Sequence, residues 1–402
     1  MNNRLKFQGC KLTFDLKAQS PHIHFQSKEL GATVRGSELK PKLDAFLYRK
    51  LGKEKSEALD YKVQINCKEQ PVPIKIGILP SRNKGIQESY SIFFGNTGRS
   101  EKLQGLWSDP TISIICFNDQ LKELIENHIT EFFFTHNFGM MQGKGFGSYI
   151  PAGMEKIPKN TIQGWLAENY NTKKCWNFAL MANMPDRNLR CNVQFLMIKL
   201  FYGILKSGKN FGGYERSFLF EYLHKNSSKA RDTSNIIASI DNEKAWMKQK
   251  GIAPAYSKNN NNDDKHDRRD KNSRYVRALL GLSGTQSWVS ERGRVSISIK
   301  DPKNKIERIS SPVFFKIVGN DVYFIINKIP EEVYNQEFKF EGSGKAGILK
   351  TPSKDQFKNG AFDVETFMSE YINYFNKKYD SVKMEDTLYR FSKIQSGGVS
   401  RG

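Results

Sequence analysis

Residues 111–150 read TISIICFNDQLKELIENHITEFFFTHNFGMMQGKGFGSYI, and this stretch decides the fold. Residues 111–117 are almost continuously apolar, which predicts a buried central strand. Residues 118–137 repeat apolar side chains at spacings of three and four. This pattern predicts one long helix, although three consecutive phenylalanines would also suit a strand. A glycine-rich loop and a short strand at residues 148–150 complete a strand–helix–strand unit.

The same two patterns recur toward the N-terminus. Residues 11–17 alternate with a period of two, which predicts a strand, and residues 61–67 predict another. Between them, residues 39–47 place leucine and phenylalanine on one helical face. Gly36 permits a sharp turn before this helix, and Ser37 is its predicted N-cap. The order strand–helix–strand–strand–helix–strand predicts an α+β, ferredoxin-like or RRM-like fold.

The whole chain of 402 residues is long enough for two or three domains. We expect an RRM-like RNA-binding domain with the glycine-rich loop at residues 1–160. A mainly helical insertion is expected at 161–257, followed by a disordered polar loop at 258–272. Residues 273–402 predict a second, degenerate RRM-like α+β domain, and the tail from residue 396 is expected to fray.

The charge of the chain indicates a polyanionic partner. Lys and Arg number 63 against 42 Asp and Glu, which gives a net charge of +21. A membrane would be the competing partner, but no segment approaches the roughly 18 apolar residues of a spanning helix, and the N-terminus has no hydrophobic signal core. Five cysteines without a Cys-x-x-Cys pair favour reduced thiols over disulfides or a zinc site. We therefore expect a cytoplasmic, anion-binding protein.

The glycine-rich loop, residues 139–149, has the composition of a phosphate-contacting segment. Its glycines let backbone N–H groups approach a ligand, Lys144 adds a positive charge, and Phe146 offers a flat apolar face. The glycine spacing matches neither a Walker A loop nor a dinucleotide fingerprint. The alternative interpretation is an ordinary surface turn. The start of the first helix is a second anion-site candidate, flanked by Arg35, Lys40 and Lys42; its alternative is an ordinary capped helix.

Three segments resemble the RAMP superfamily of CRISPR proteins. Residues 35–40, RGSELK, resemble that superfamily's RGSSLKG segment, and residues 139–149 resemble its glycine-rich loop with the core Gly-x-Gly-Phe-Gly-Ser. Residues 308–317, RISSPVFFKI, resemble the R-x-x-S-P strand of subunits near one end of type III effector complexes. Residues 275–282, YVRALLGL, also have a counterpart there. Pro41 departs from the pattern, because relatives carry glycine there.

The resemblance implies a crRNA-binding subunit of a type III (Cmr-like) ribonucleoprotein in antiviral defence. Its partners would be crRNA, possibly target RNA, and other effector subunits. We expect the subunit to be non-catalytic, with no cofactor and no metal, because no paired carboxylate and no His or Cys cluster with metal-ligand spacing stands out in the sequence. The RNA-binding residues predicted from the resemblance and from the helix start are Arg35, Gly36, Ser37, Lys40, Lys42, Gly143, Lys144, Gly145, Phe146, Gly147, Ser148 and Arg308.

Two other functions stay open on the sequence alone. A metal-independent, guide-RNA-processing endoribonuclease needs a general acid and base, and His22 and His24 alternate within an extended stretch. We interpret them instead as catalytically silent histidines on a solvated strand face. The second alternative is a general RNA-binding protein unrelated to CRISPR, for which the charge and the glycine-rich loop would suffice.

The remaining titratable candidates have weaker support. His128 and His136 follow the apolar face of their helix, which favours core positions. Filament-forming subunits of the superfamily cut target RNA with a loop aspartate and a divalent metal. Asp109 and Asp186 lie in predicted loops, but nothing in the sequence distinguishes them as that residue.

Overall fold

The computed structural model describes residues 5–23, 33–80, 87–89, 104–182, 184–208, 215–224, 235–254, 272–282, 284–290, 293–303, 306–379 and 391–398. Two four-stranded antiparallel sheets with the same connectivity form its framework. The predicted α+β class with two ferredoxin-like units is confirmed. Most of the predicted polar loop, residues 258–271, lies outside the described residues.

The N-terminal unit follows the predicted order of elements. In chain order these are strand β1 (Lys11–Ala18), helix α1 (Gly36–Lys50), strands β2 (Lys62–Asn66), β3 (Val72–Lys75), β4 (Ile78–Pro80), β5 (Gln87–Ser89), β6 (Gln104–Trp107) and β7 (Thr111–Ile115), helix α2 (Asp119–Thr135) and strand β8 (Tyr149–Pro151). The sheet order is β2-β7-β1-β8. The β3–β6 and β4–β5 pairs form two short ribbons, which the chain inserts between β2 and β7.

The alternation of β1 explains how this sheet is covered. Leu12, Phe14 and Leu16 are buried, whereas the residues between them are exposed. Phe14 meets Phe133 of α2 edge to face, with ring centroids 5.7 Å apart. The phenylalanine run of α2 is fully helical and buried, so the strand alternative for it is wrong. One face of the sheet therefore packs on α1 and α2.

The start of α1 differs from its prediction by two residues. The N-cap is Arg35, whose carbonyl accepts N–H bonds from Glu38 at 3.1 Å and from Leu39 at 2.9 Å. No side chain caps this end. Ser37 lies within the first turn, so the prediction of Ser37 as N-cap is wrong. Because Gly36 already has helical geometry, the positive end of the helix dipole lies at Arg35.

The second unit begins earlier in the chain than the sequence pattern indicated. Its elements, with those of its insertions, are α3 (Lys159–Asn169), β9 (Lys174–Ala179), α4 (Arg187–Lys206), α5 (Phe218–Leu223), β10 (Asp241–Asn242), α6 (Glu243–Gln249), β11 (Ser273–Arg274), β12 (Thr285–Ser290), β13 (Gly293–Lys300), β14 (Val313–Val318), β15 (Asp321–Ile326), β16 (Glu337–Gly342), β17 (Lys345–Lys350), α7 (Val364–Lys378) and β18 (Gln395–Gly398). The sheet order β14-β15-β9-β18 repeats the ferredoxin-like arrangement, with α4 and α7 as its helices.

Two segments therefore have roles that the sequence pattern did not predict. The stretch expected as a helical insertion, 161–257, supplies the first strand and first helix of the second unit as well as α5 and α6. The tail is not frayed at residues 396–398, because β18 pairs with β9 there; residues 399–402 lie outside the described ones. Strands β12, β13, β16 and β17 form a separate sheet, and residues 276–280 form a short 3-10 helix where a helix was expected.

The second sheet is buried on both faces. Phe201 of α4 packs against Phe315 and Phe324 on one face. On the other face, Phe314 belongs to a cluster with Phe134 of α2 and residues of α3. The two units thus pack directly on each other.

In the described part of the chain, no helix is long and apolar enough to cross a membrane.

Lys316, in the middle of β14, fixes this contact. Its fully buried ammonium group donates to the carbonyls of Phe133 and His136 at 2.7 Å and of Tyr149 at 3.2 Å. Two of these carbonyls belong to the C-terminal end of α2, where helix carbonyls lack intrahelical partners. Burial, with a smaller effect of Lys42, holds the pKa of Lys316 well below its ordinary value.

Candidate nucleic-acid interface

The two segments predicted to contact RNA meet on one surface. The Glu38 carboxylate, in the first turn of α1, accepts the Gly139 N–H at 2.9 and 3.0 Å. The Lys42 ammonium donates to Glu38 at 2.6 Å, to the Asn137 carbonyl at 2.9 Å and to the Gln142 side chain at 2.6 Å. These bonds tie the start of α1 to the first half of the glycine-rich loop.

Part of this surface is exposed to solvent. Arg35 and Ser37 are exposed, and residues 141–143 are half-buried. The backbone N–H groups of Gly36, Ser37 and residues 141–143 donate to no acceptor among the described residues. Met141 has a φ of +55°, so the chain turns tightly here. Free N–H groups at a helix start and in a neighbouring turn form an arrangement that suits an anion. We call Arg35, Gly36, Ser37, Lys42 and residues 140–143 the helix–loop surface.

Two predicted residues, Lys40 and Arg308, take no part in the hydrogen bonds that join these two segments. The Lys40 ammonium donates to Asp44 at 3.0 Å and to the Leu59 carbonyl at 2.8 Å, and it lies 4.2 Å from the centre of the Tyr61 ring. Arg308 is exposed on the segment that leads into β14. These contacts commit Lys40 to the packing of α1.

The second half of the glycine-rich loop is buried between the two units. The Lys144 ammonium lies 3.2 Å from the centre of the Tyr202 ring, and burial together with Lys206 holds the Lys144 pKa well below its ordinary value. Phe146 is 1% exposed, and its ring stacks on Phe195 at 4.0 Å with an angle of 11°. The ammonium group and the aromatic ring that the sequence analysis offered to RNA are therefore both in contact with α4.

Ser148 and the last glycines belong to the same packed junction. The Ser148 hydroxyl donates to the Ile317 carbonyl at 2.6 Å. Gly147 has a φ of +63°, and a Cβ there would lie 1.8 Å from the Phe138 carbonyl oxygen. Gly145, at +87°, would place a Cβ 3.2 Å from Ile317. Gly143 meets nothing within 4 Å. Gly145 and Gly147 are therefore needed for close packing, whereas Gly143 faces open space.

Residues that sequence reasoning missed connect this junction to the other two motifs. The Tyr202 hydroxyl lies 2.9 Å from Ser311 Oγ, and it donates to the Leu280 carbonyl. Lys206 donates to the carbonyls of Leu280 and Gly281. Burial, and then Arg277, lowers the Lys206 pKa to about 7, against the opposing effect of Glu243. The only sequence signal for Tyr202 and Lys206 was their place in an apolar helix.

The histidines proposed as an acid–base pair are not brought together on a surface by the described residues. His22 is 1% exposed, pairs through its backbone with Leu106, and lies directly beneath Gly139. The interpretation of His22 as a solvated strand histidine is therefore wrong. His24 lies outside the described residues.

The other titratable candidates have local structural contacts. The imidazole of His136 packs on Phe132, and burial is the main cause that lowers its pKa to about 3. His128 is partly exposed, with Nδ1 3.3 Å from Glu131. Asp109 accepts the Ala18 N–H at 2.7 Å, and Asp186 caps α4. Across the described ranges, no group of three His, Cys, Asp or Glu side chains is placed to hold a metal ion.

Comparison with known proteins identifies the family. The Cmr1 N-terminal domain matches residues 9–209, which contain the first sheet and continue through β9 and α4. The Cmr1 C-terminal domain matches residues 214–395. No curated protein matches the chain. The two matched ranges contain all the motifs discussed above and almost all of the sequence. The chain belongs to the Cmr1 family, whose members are RAMP subunits of type III CRISPR complexes.

Proposed function

We propose that this protein is a non-catalytic subunit that binds crRNA within the type III complex, through the helix–loop surface. The observation that carries the proposal is the network of Glu38 and Lys42, which holds the start of α1 against the loop. A phosphate on this surface would face Arg35, the positive end of the α1 dipole and the free N–H groups of two segments. The net charge of +21 favours the same class of partner.

The buried predicted residues support this surface from beneath. Lys144, Phe146 and Ser148 attach the loop to α4 and β14, and Gly145 and Gly147 permit the close packing that this requires. We assign them to the shape of the loop, together with Lys42, whose three N–H groups all donate within the protein. We assign RNA contact to Arg35, Gly36, Ser37 and Gly143. Lys40 and Arg308 stay predicted contacts. The non-catalytic part of the proposal is supported by the burial of His22.

The test is RNA binding by the purified full chain. Arg35→Ala should weaken binding of a single-stranded RNA and lower the slope of log affinity against log salt concentration by about 0.7, the value for one lost phosphate contact. Lys53→Ala is the matched control, because Lys53 is an exposed cation just beyond the opposite end of α1. Sequencing of RNA that co-purifies with the assembled complex should return repeat-derived guides.

Two results would contradict the proposal. Equal effects of the Arg35 and Lys53 substitutions would show that only overall charge matters. Cleavage of repeat RNA at a unique site by the purified protein without metal, lost in His22→Ala, would favour the processing nuclease instead.

A further inference from the structure

Across strands β2, β7 and β1 the outer face of the N-terminal sheet is open, unlike the corresponding face of the second sheet. At the β8 edge, Ile150, opposite Lys17, is buried in the cluster with α3. In the second sheet, α4 and α7 cover one face while α2 and α3 cover the other. In the N-terminal sheet, α1 and α2 cover one face only. Along β1, Lys11, Thr13, Asp15 and Lys17 alternate with buried residues and are all exposed.

The strand register arranges this open face in three rows across β1, β7 and β2. The rows are Lys11–Ile115–Lys62, Thr13–Ser113–Gln64 and Asp15–Thr111–Asn66. Hydroxyl groups join neighbouring strands within two of the rows. Thr13 Oγ1 and Ser113 Oγ are 3.1 Å apart, and the Thr111 hydroxyl donates to Asp15 at 2.5 Å. The face is therefore flat, polar and rich in hydrogen-bonding groups.

An exposed aromatic ring stands at one end of this face. Phe117 is 80% exposed, the highest value among the large exposed hydrophobic side chains of the described residues. The Cys116 N–H donates to the Cys10 carbonyl at 2.9 Å, which continues the pairing of β7 with β1 by one residue. Cys116 is buried, so the alternation places Phe117 on the solvent side, on the same face as Ser113 and Ile115.

We infer that this open face, defined by the three rows and Phe117, binds single-stranded RNA, with Phe117 stacked on a base and Lys11 and Lys62 at the flanking phosphates. The inference rests on the proposed RNA-binding function but concerns a surface made by different residues. Base stacking on an aromatic ring beside lysines is a general mode of single-strand recognition, and hydroxyl and amide side chains suit 2′-OH groups and base edges.

Charge and composition favour RNA over a protein partner. On and beside the three rows, Lys11, Lys17, Lys62 and Lys68 stand against Asp15 and Glu155, with Lys17 3.5 Å from Glu155 and Lys68 3.6 Å from Asp15. Beside Phe117, Lys122 is paired with the exposed Asp119. Lys11 and Lys62 are the cations of the rows that have no ion pair among the described residues. Protein interfaces are depleted in lysine and serine, and their buried centres are apolar. Apart from Phe117 and the partly buried Ile115, this face is polar.

The test measures binding of the full chain to a fluorescently labelled uridine dodecamer by anisotropy. Phe117→Ala should weaken binding about 5- to 150-fold, the loss that corresponds to removal of one stacked base. Phe117→Tyr should retain it. Ile348→Ala is the matched control, because Ile348 is 55% exposed on β17 of another sheet and should change nothing. Lys11→Ala with Lys62→Ala should lower the salt slope by about 1.4.

Position and partner are tested separately. Ultraviolet cross-linking of the same RNA should attach it to the tryptic peptide of residues 103–122 at Phe117. Wild-type affinity in Phe117→Ala would overturn the inference. So would loss of assembly with other subunits at unchanged RNA affinity, which would show a protein docking face. If Arg35→Ala weakens binding and Phe117→Ala does not, the helix–loop proposal stands and this inference fails. If Phe117→Ala weakens binding and Arg35→Ala does not, this inference stands and the helix–loop proposal fails.

Discussion

Replacement of Phe146 by alanine distinguishes a structural from an RNA-stacking role for the glycine-rich loop. The ring is 1% exposed and lies parallel to Phe195 at 4.0 Å. Truncation of a buried phenylalanine costs about 3–5 kcal/mol, because apolar contact is lost and a cavity is left between the two units. Since folded proteins of this kind are stable by about 5–15 kcal/mol, this is a large fraction of the total. Phe146→Leu, which keeps most of the volume, should cost less than about 1.5 kcal/mol.

The assay compares urea unfolding midpoints with RNA affinity under native conditions. We expect both variants to lower the urea midpoint, Phe146→Ala more than Phe146→Leu. Phe146→Leu, which stays folded, should bind RNA within about twofold of wild type. The reasoning would be refuted if Phe146→Ala unfolds at the wild-type midpoint. It would also be refuted if Phe146→Leu loses the roughly 1–3 kcal/mol of RNA binding expected for a stacked base while remaining fully stable.

Two further predictions concern the same region. Gly147→Ala should destabilise the protein by at least about 3 kcal/mol, because at a φ of +63° its Cβ would overlap the Phe138 carbonyl oxygen. Gly143→Ala, by contrast, should shift the thermal unfolding midpoint by less than about two degrees. Equal thermal midpoints for the two variants would contradict this prediction. The pKa of His136 falls from 6.5 to about 3 on folding. As the pH drops below 6.5, the unfolded chain therefore takes up a proton at His136 while the folded protein does not. The free energy of unfolding should accordingly fall by up to about 2 kcal/mol between neutral pH and pH 5. His136→Gln should abolish that part of the pH dependence in urea unfolding; an unchanged profile would show that other groups cause it.

The framework of the N-terminal unit was predictable because its patterns are local. In β1 each alternate residue is apolar, and in α2 the apolar spacing continues through the phenylalanine run, so period alone identifies strand and helix. The N-cap was missed because Ser37 is a good capping residue, yet the chain enters helical geometry one residue before it. Capping preference is worth only about 1 kcal/mol, and the first turn is also held by the tertiary contacts of Glu38 and Lys42.

The candidate site was predictable as a place but not as a set of side chains. The resemblance indicated both the start of α1 and the glycine-rich loop, and the structure brings them together. The orientation of Lys144 and Phe146 depends on Tyr202 and Phe195, about fifty residues further along the chain. No local pattern encodes that contact. Lys316 is a similar case, because a lysine in the middle of an apolar strand carries no sign of the helix end that it caps.

The burial of half the loop has a consequence for how the other half can bind. The Asn137 amide donates to the Gln142 carbonyl at 2.7 Å and to the Phe315 carbonyl at 2.8 Å, and the Gly143 carbonyl accepts the Phe315 N–H at 3.2 Å. The turn that presents the free N–H groups is thus held by β14 of the second unit as well as by α1 of the first. A loop ordered before binding loses less conformational entropy when a phosphate arrives, and its donors keep fixed directions. Under the proposed function, Gly145 and Gly147 therefore serve RNA binding indirectly, because they let the two units pack tightly enough to hold the turn in place.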